Sequence, residues 1–219
     1  MLKFIYLHGF ASSPESAKAV YLQQGFASLN VFLTIPDLNQ DDFNHLTISR
    51  QISQVAALLP LDGTPVTLIG SSLGAFTAAH LAQNNPQIKR LVLLAPAFGF
   101  LGHWLPKLEA EQLYQWRNEG YLDIYHYREK CSLPLHYQFV EDARNYEGLE
   151  LGRQVPTLIL HGCDDEVIPI MASRDYASTR PWVQLVELES DAPLEPLREH
   201  GLRDVMALIW AAVREFCDI

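Results

Sequence analysis

Cysteine, positive charge and long apolar runs are all scarce in this 219-residue chain. Cys131, Cys163 and Cys217 are odd in number and widely scattered. They have neither C-x-x-C spacing nor a disulfide framework, so they read as small apolar filler in a reducing compartment. Sixteen Lys and Arg against 26 Asp and Glu give a net charge of -10, and the cations form no cluster. A nucleic acid or an anionic membrane surface would repel such a chain, which excludes both as expected partners. The longest apolar run, Val205 to Val213, falls far short of the ~20 residues of a membrane span. Near the N-terminus the apolar core Phe4 to Leu7 is too short for a signal peptide. These absences predict a cytoplasmic protein acting on a compact, neutral small molecule. Nothing in the composition bears on an oligomeric state.

What is present is a repeated alternation of short apolar strands with amphipathic helices. Leu2 to Leu7 reads as a strand ending in His8-Gly9-Phe10, followed by a helix that Ser12 or Ser13 could cap with Pro14 at its first position. Val31 to Ile35, Val66 to Ile69, Leu91 to Leu94, Thr157 to Leu160 and Val183 to Leu188 are further strands. Helices are predicted at Leu46 to Leu59, from Leu73 onward, from Ile170, and at Leu202 to Phe216. From Phe98 to Arg153 the alternation stops and aromatics crowd in. That stretch reads as an insertion, helical in its first half, with a strand where Leu133, Leu135, Tyr137 and Phe139 alternate. The length suits one domain carrying this insertion. Repeated βα units imply a parallel sheet covered by helices on both faces, with ligand sites beyond the carboxyl ends of the strands. His8, Ser72, Pro96 and Asp165 all fall at such ends.

The chemistry centres on Gly70-Ser71-Ser72-Leu73-Gly74, a G-x-S-x-G turn between a strand and a helix. Ser72 takes the nucleophile's place. A serine hydroxyl needs a histidine to accept its proton and a carboxylate to orient that histidine. In chains built on this turn the order is serine, acid, histidine. His200 is the only histidine after the acid-bearing loop. That loop, His161 to Pro169, offers Asp164, Asp165 and Glu166 in succession, and an Asp pair ahead of a helix could also be a cap. Backbone N–H groups of Leu73 and Phe10 are placed to receive an oxyanion, one opening a helix and the other following the first strand.

Together, Tyr6-Leu7-His8-Gly9-Phe10, Gly70 to Gly74, His161-Gly162 with Asp165 and Pro169, and His200 resemble the α/β-hydrolase superfamily. Within it the chain is similar to the small bacterial YqiA-like esterases. The resemblance implies a three-layer α/β-hydrolase fold over residues 1–219, with a mostly parallel sheet lacking the first two strands of larger members. It implies a cap inserted at about 98–153, Asp165 as the triad acid in preference to Asp164, and hydrolysis of carboxylic esters or thioesters with no cofactor and no metal.

Two other readings use the same residues. Carbon–carbon bond hydrolysis of a diketone-like acid would need a basic pocket, for which Arg117, Arg128, Arg144 and Arg153 of the insertion are candidates. A non-catalytic ligand-binding module would have no need of Ser72, Asp165 and His200 together. A metal site from His8, His161 and His200 lacks any short ligand spacing. The aromatics of the insertion predict an apolar roof over Ser72 that selects small to medium apolar acyl groups, although Trp104 and Trp116 each read individually as core.

Overall fold

In the computed structural model, residues 2–189 and 199–219 are described, the side chains of 199–203 excepted. Strands β1 (Lys3–Leu7), β2 (Leu33–Thr34), β3 (Val66–Ser71), β4 (Ile88–Leu94), β7 (Thr157–Gly162) and β8 (Val183–Leu188) form one sheet in the order β2-β1-β3-β4-β7-β8. Every pairing in it is parallel. The strands are near-continuously apolar because helices cover both faces. Successive residues point to opposite sides, so Phe4 and Tyr6 enter one core and Ile5 and Leu7 the other. The first core is closed by α1 (Ala17–Ser28) and α8 (Glu199–Cys217), through Leu22, Phe26, Met206, Ile209 and Val213. The second is closed by α2 (Ile48–Ala57) and α3 (Leu73–Asn84), through Val55, Ala75, Ala78, Ala79 and Leu81. The small residues of α3 let it lie close against the sheet. Helix α7 (Ile170–Ser178) follows β7 and sets Tyr176 against the same core.

The chain visits β1, then the edge strand β2, then returns past β1 to β3. That reversal makes the gap between β1 and β3 the switch point of the sheet, where the loops leaving two adjacent strands diverge and a crevice opens. Phe10 and Ser72 stand at its two sides.

Between β4 and β7 the chain builds α4 (Phe100–Trp104), α5 (Ala110–Glu119), an antiparallel hairpin of β5 (Tyr121–His126) and β6 (Cys131–His136), and α6 (Gln138–Arg144). A third core cluster lies under these elements, joining Trp116, Leu135, Tyr137, Phe139 and Val140 to Leu73, Phe76 and Ile48 of the main body. Trp116 is fully buried and its indole N–H donates to the Leu135 carbonyl.

Several boundaries differ from the sequence expectation. Helix α1 starts at Ala17 behind Ser16, whose hydroxyl accepts from the Ala19 N–H, while Ser13 receives the Glu15 N–H in the preceding turn. Strand β2 shortens to two residues because only β1 pairs with it. The hairpin replaces part of the expected helical half: Gly120, left-handed at φ 89°, ends α5 and lets Tyr121 turn back as a strand. Phe139 lies in α6, not on a strand. Helix α8 begins at Glu199, so His200 sits in its first turn instead of in the loop before it.

Candidate active site

Ser72 links β3 to α3 with φ 51° and ψ -116°, a conformation a serine adopts only under constraint. Four backbone bonds supply that constraint. Its N–H donates to the Leu94 carbonyl at 2.8 Å, and its own carbonyl accepts from Ala75, Phe76 and Ala97. The flanking glycines are steric necessities. A Cβ on Gly70 would lie 2.6 Å from the Ala75 backbone, and one on Gly74 would run into the carbonyls of Leu7 and His8. The turn is therefore wedged between the start of α3 and the end of β1.

The loop after β1 packs directly beside it. A Cβ on Gly9 would be 3.5 Å from Ser72 Cβ. His8, almost fully buried, bonds through Nδ1 to the Gly9 carbonyl at 3.0 Å, and its Nε2 accepts the Leu38 N–H at 2.9 Å. An imidazole that accepts at Nε2 and donates at Nδ1 is neutral, and it has no proton left for Asp37 Oδ1, 3.5 Å away. The Gly9 carbonyl and the Phe10 N–H belong to one planar peptide unit, so the His8 bond fixes the direction of that N–H. Among the described residues neither the Phe10 nor the Leu73 N–H meets a backbone acceptor.

A cavity of about 300 Å³ opens on Ser72. Phe10, Leu73 and Ala97 line it from the main body, while Phe100, Trp104, Ile124 and Phe139 come from the insertion. Phe10 joins the two, its ring 5.3 Å from Phe139, 5.5 Å from Trp104 and 5.8 Å from Phe43. Tyr125 and Tyr127 add half-exposed rings. Trp104 is thus a lining residue, whereas Trp116 is core. Residues of the insertion thus wall the cavity on which Ser72 opens, and six of the fourteen lining residues are aromatic.

On the far side, Val167 and Ile168 complete the lining. They are held by Asp165, whose Oδ1 accepts both of their N–H groups at 2.8 and 2.9 Å. Only 6% of the Asp165 side chain is exposed, and Asp164 is open to solvent. Helix α7 is preceded by Pro169 without a side-chain cap, so neither aspartate caps it. Asp165 Oδ2 lies 3.8 Å from His161 Nε2, but that nitrogen is given to the Ile168 carbonyl at 2.9 Å and Nδ1 to Ser173. Burial holds the His161 pKa below its usual value, which keeps this ring neutral and structural. Oδ2 accordingly has no hydrogen bond among the described residues. The side chain of His200 lies outside the described residues.

The structure thus brings Phe10, Ser72 and Leu73 together around one cavity and places Asp165 behind its wall. It does not bring the four insertion arginines there. Arg153 is spent on the carbonyls of Ala82, Asn85, Pro86 and Ile88, Arg128 faces Asp37 and Glu15, and Arg117 and Arg144 are exposed. Among the described residues the one charged side chain in the lining is Lys107, whose Nζ donates to the Glu166 carbonyl at 2.8 Å. Sequence reasoning passed over Lys107, and it took Tyr125 and Tyr127 only as two of the insertion's many aromatics. The alternation Tyr121-Leu122-Asp123-Ile124-Tyr125, with Leu122 and Ile124 turned inward, was the available signal for the hairpin that carries the tyrosines. Among the described residues no group of three His, Cys, Asp or Glu side chains is arranged to hold a metal, and no helix is long and apolar enough to cross a membrane.

The sequence model of an uncharacterised protein family, UPF0227, matches residues 3–214. No curated protein sequence matches the chain. Among solved structures, the mouse α/β hydrolase domain-containing protein 10 superposes with a TM-score of 0.74 at 20% identity, covering 97% of this chain and 90% of that one. Est1E from Butyrivibrio proteoclasticus, with ferulic acid bound, gives 0.75 at 19% identity over 100% and 90%. A monoacylglycerol lipase from Paleococcus ferrophilus gives 0.65 at 14% over 95% and 93%. At these identities the likeness is one of fold, and the fold is that of the α/β hydrolases.

Proposed function

Because the chain belongs to the UPF0227 family and carries the α/β-hydrolase fold, we propose that it is a serine hydrolase of carboxylic esters or thioesters with small to medium apolar acyl groups. The observation that carries the reading is Ser72, held at φ 51° between β3 and α3 and opening on an aromatic cavity of about 300 Å³. A strained residue at the mouth of a pocket is where a reacting group is expected. One structural neighbour is described as a monoacylglycerol lipase and another has ferulic acid bound, in keeping with this class.

In this reading Ser72 Oγ attacks the substrate carbonyl carbon while His200 takes its proton, with Asp165 Oδ2 holding the imidazole in the accepting tautomer. The carbonyl oxygen, now anionic, receives the N–H groups of Phe10 and Leu73. Backbone donors suit this task because they are already oriented and bring no charge that must be desolvated. Collapse of the tetrahedral adduct expels the alcohol or thiol, which takes the proton from His200, and leaves acyl-Ser72. Water, deprotonated by His200, then attacks the acyl carbon; the carboxylic acid leaves and the proton returns to Ser72. The aromatic cap excludes solvent from the oxyanion and so strengthens both donors. The acyl chain lies against Phe10, Phe100, Trp104 and Phe139. The three cysteines, all unpaired, suit action in a reducing cytoplasm.

The test is labelling with a fluorophosphonate and mapping of the modified residue. Label on Ser72, loss of both label and esterase activity in Ser72→Ala, and a loss of about 10²-fold or more in kcat for Asp165→Asn but not Asp164→Asn are expected. Label on another residue, or hydrolysis retained by Ser72→Ala, refutes the assignment.

A further inference from the structure

The loop that carries the Phe10 N–H is fastened from outside the main body. Ala11 is left-handed at φ 50°, so the loop does not hold its shape by local preference. Its next two carbonyls are each taken by a donor tied to the insertion. The Tyr127 N–H, just past β5, donates to the Ala11 carbonyl at 3.0 Å. Asn39 donates Nδ2 to the Ser12 carbonyl at 2.8 Å, and the same nitrogen lies 3.2 Å from Nε2 of His126, the last residue of β5. Asn39 is 7% exposed and His126 2%, with the His126 ring edge-on to Phe43 at 5.0 Å.

The orientation of the Asn39 amide follows from its partners. The Ser12 carbonyl can only accept, so the nitrogen must face it, and exchanging N for O would set two acceptors together. With Nδ2 donating on both sides, His126 Nε2 accepts and Nδ1 carries the proton; the Glu129 N–H, 3.4 Å from Nδ1, is the longer and weaker contact and is given up in this tautomer. Asn39 Oδ1 is meanwhile buried without a partner among the described residues, a cost that an apolar side chain would not carry. An amide retained at such a cost has its use in the two donors. Those donors join the oxyanion loop, one residue past Phe10 and Ala11, to the hairpin that also lines the pocket.

We propose that Asn39 and His126 are positioning residues that set the Phe10 N–H for the oxyanion, by clamping residues 11–12 between the loop after β2 and the cap hairpin. The proposal rests on the reading of Ser72 as nucleophile and Phe10 as oxyanion donor. It makes the cap part of the catalytic geometry and not only a cover: a cap that came away from the main body would release Ala11 and Ser12 together.

The informative variant is Asn39→Asp, which keeps the shape of the side chain and removes both donors. Fluorophosphonate labelling rate, kcat and KM on a short-chain p-nitrophenyl ester, and inhibition by a trifluoromethyl ketone, which forms a tetrahedral adduct on serine, are measured for each variant. Thermal unfolding is followed in parallel. The expected result is a loss on the order of tenfold in kcat and in labelling rate, an equal weakening of the ketone and an unchanged KM, since only the oxyanion donor moves. His126→Gln, whose side-chain oxygen supplies an acceptor in place of Nε2, retains most of the activity, and His126→Leu loses it as Asn39→Asp does. If Asn39→Asp fails to fold, His126→Leu against His126→Gln decides on the same scale. Wild-type labelling and ketone binding in Asn39→Asp, or equal activities for the two His126 variants, overturn the positioning role alone. A wild-type protein that takes no label on Ser72 overturns the serine-hydrolase reading instead.

Discussion

Replacing Gly74 by alanine adds one methyl group where α3 starts against the end of β1. That Cβ would meet the carbonyl oxygens of Leu7 and His8 and lie 2.6 Å from the Leu7 carbonyl carbon, whereas ordinary contact begins near 3.4 Å. All three atoms are backbone, so no rotamer change relieves the overlap. Either α3 or the end of β1 must shift by roughly 1 Å, within reach of the groups that matter for function. Overpacking of this kind costs about 1 to 3 kcal/mol, and a rigid neighbour puts Gly74→Ala at the upper end. For a chain of this size that corresponds to a fall of about 6 to 12 °C in Tm. The catalytic loss should be larger in proportion. The displaced atoms flank the Leu73 N–H on one side and the His8-Gly9-Phe10 loop on the other, and a misplacement near 1 Å costs on the order of 10²-fold in kcat. Gly102→Ala in α4 is the control, since nothing lies within 4 Å of its Cβ and alanine is the better helix former by about 1 kcal/mol. Thermal unfolding and ester turnover are measured for both variants. A Gly74→Ala protein that melts within about 2 °C of wild type and keeps its kcat would refute the close-packing account of the G-x-S-x-G turn.

Two further predictions follow from other parts of the molecule. Trp104→Ala removes an aromatic wall of the cavity and should move the preferred acyl length upward, at a stability cost of roughly 2 kcal/mol for a half-buried ring; an unchanged chain-length profile would mean that the cap does not set selectivity. His80, whose ring lies tilted against Phe76 with centroids 4.3 Å apart, has its pKa lowered by burial to about 4. The unfolded chain therefore binds this proton first as pH falls, so stability is lost between about 6.5 and 4 and is full above that window. His80→Leu should remove a difference on the order of 3 kcal/mol between pH 7.5 and 4.5 from urea unfolding curves, and parallel losses in wild type and variant would show the ring to be irrelevant.

The apolar runs of Phe4 to Leu7 and of Val66 to Ile69, the helical spacing of α2 and α8, and the G-x-S-x-G turn were all legible in the chain alone. Each is written within a few consecutive residues, and the backbone geometry that each demands is local. The parallel sheet followed from their alternation, and with it the position of Ser72 and Asp165 at strand ends. What the chain order left open was decided by packing. The side chain of Asp165 is buried where its neighbour Asp164 is exposed, with Oδ1 accepting from the N–H groups of Val167 and Ile168. The insertion arginines are candidates for a basic pocket by sequence, but packing sets Arg153 on the end of α3 and Arg128 against Asp37. Trp104 and Trp116, alike in sequence, separate into pocket and core because the hairpin closes over one of them. The contact between Asn39 and His126 spans 87 positions. No local propensity encodes such a pair; it exists because the sheet sets the loop after β2 beside β1 and the cap brings the hairpin down upon it.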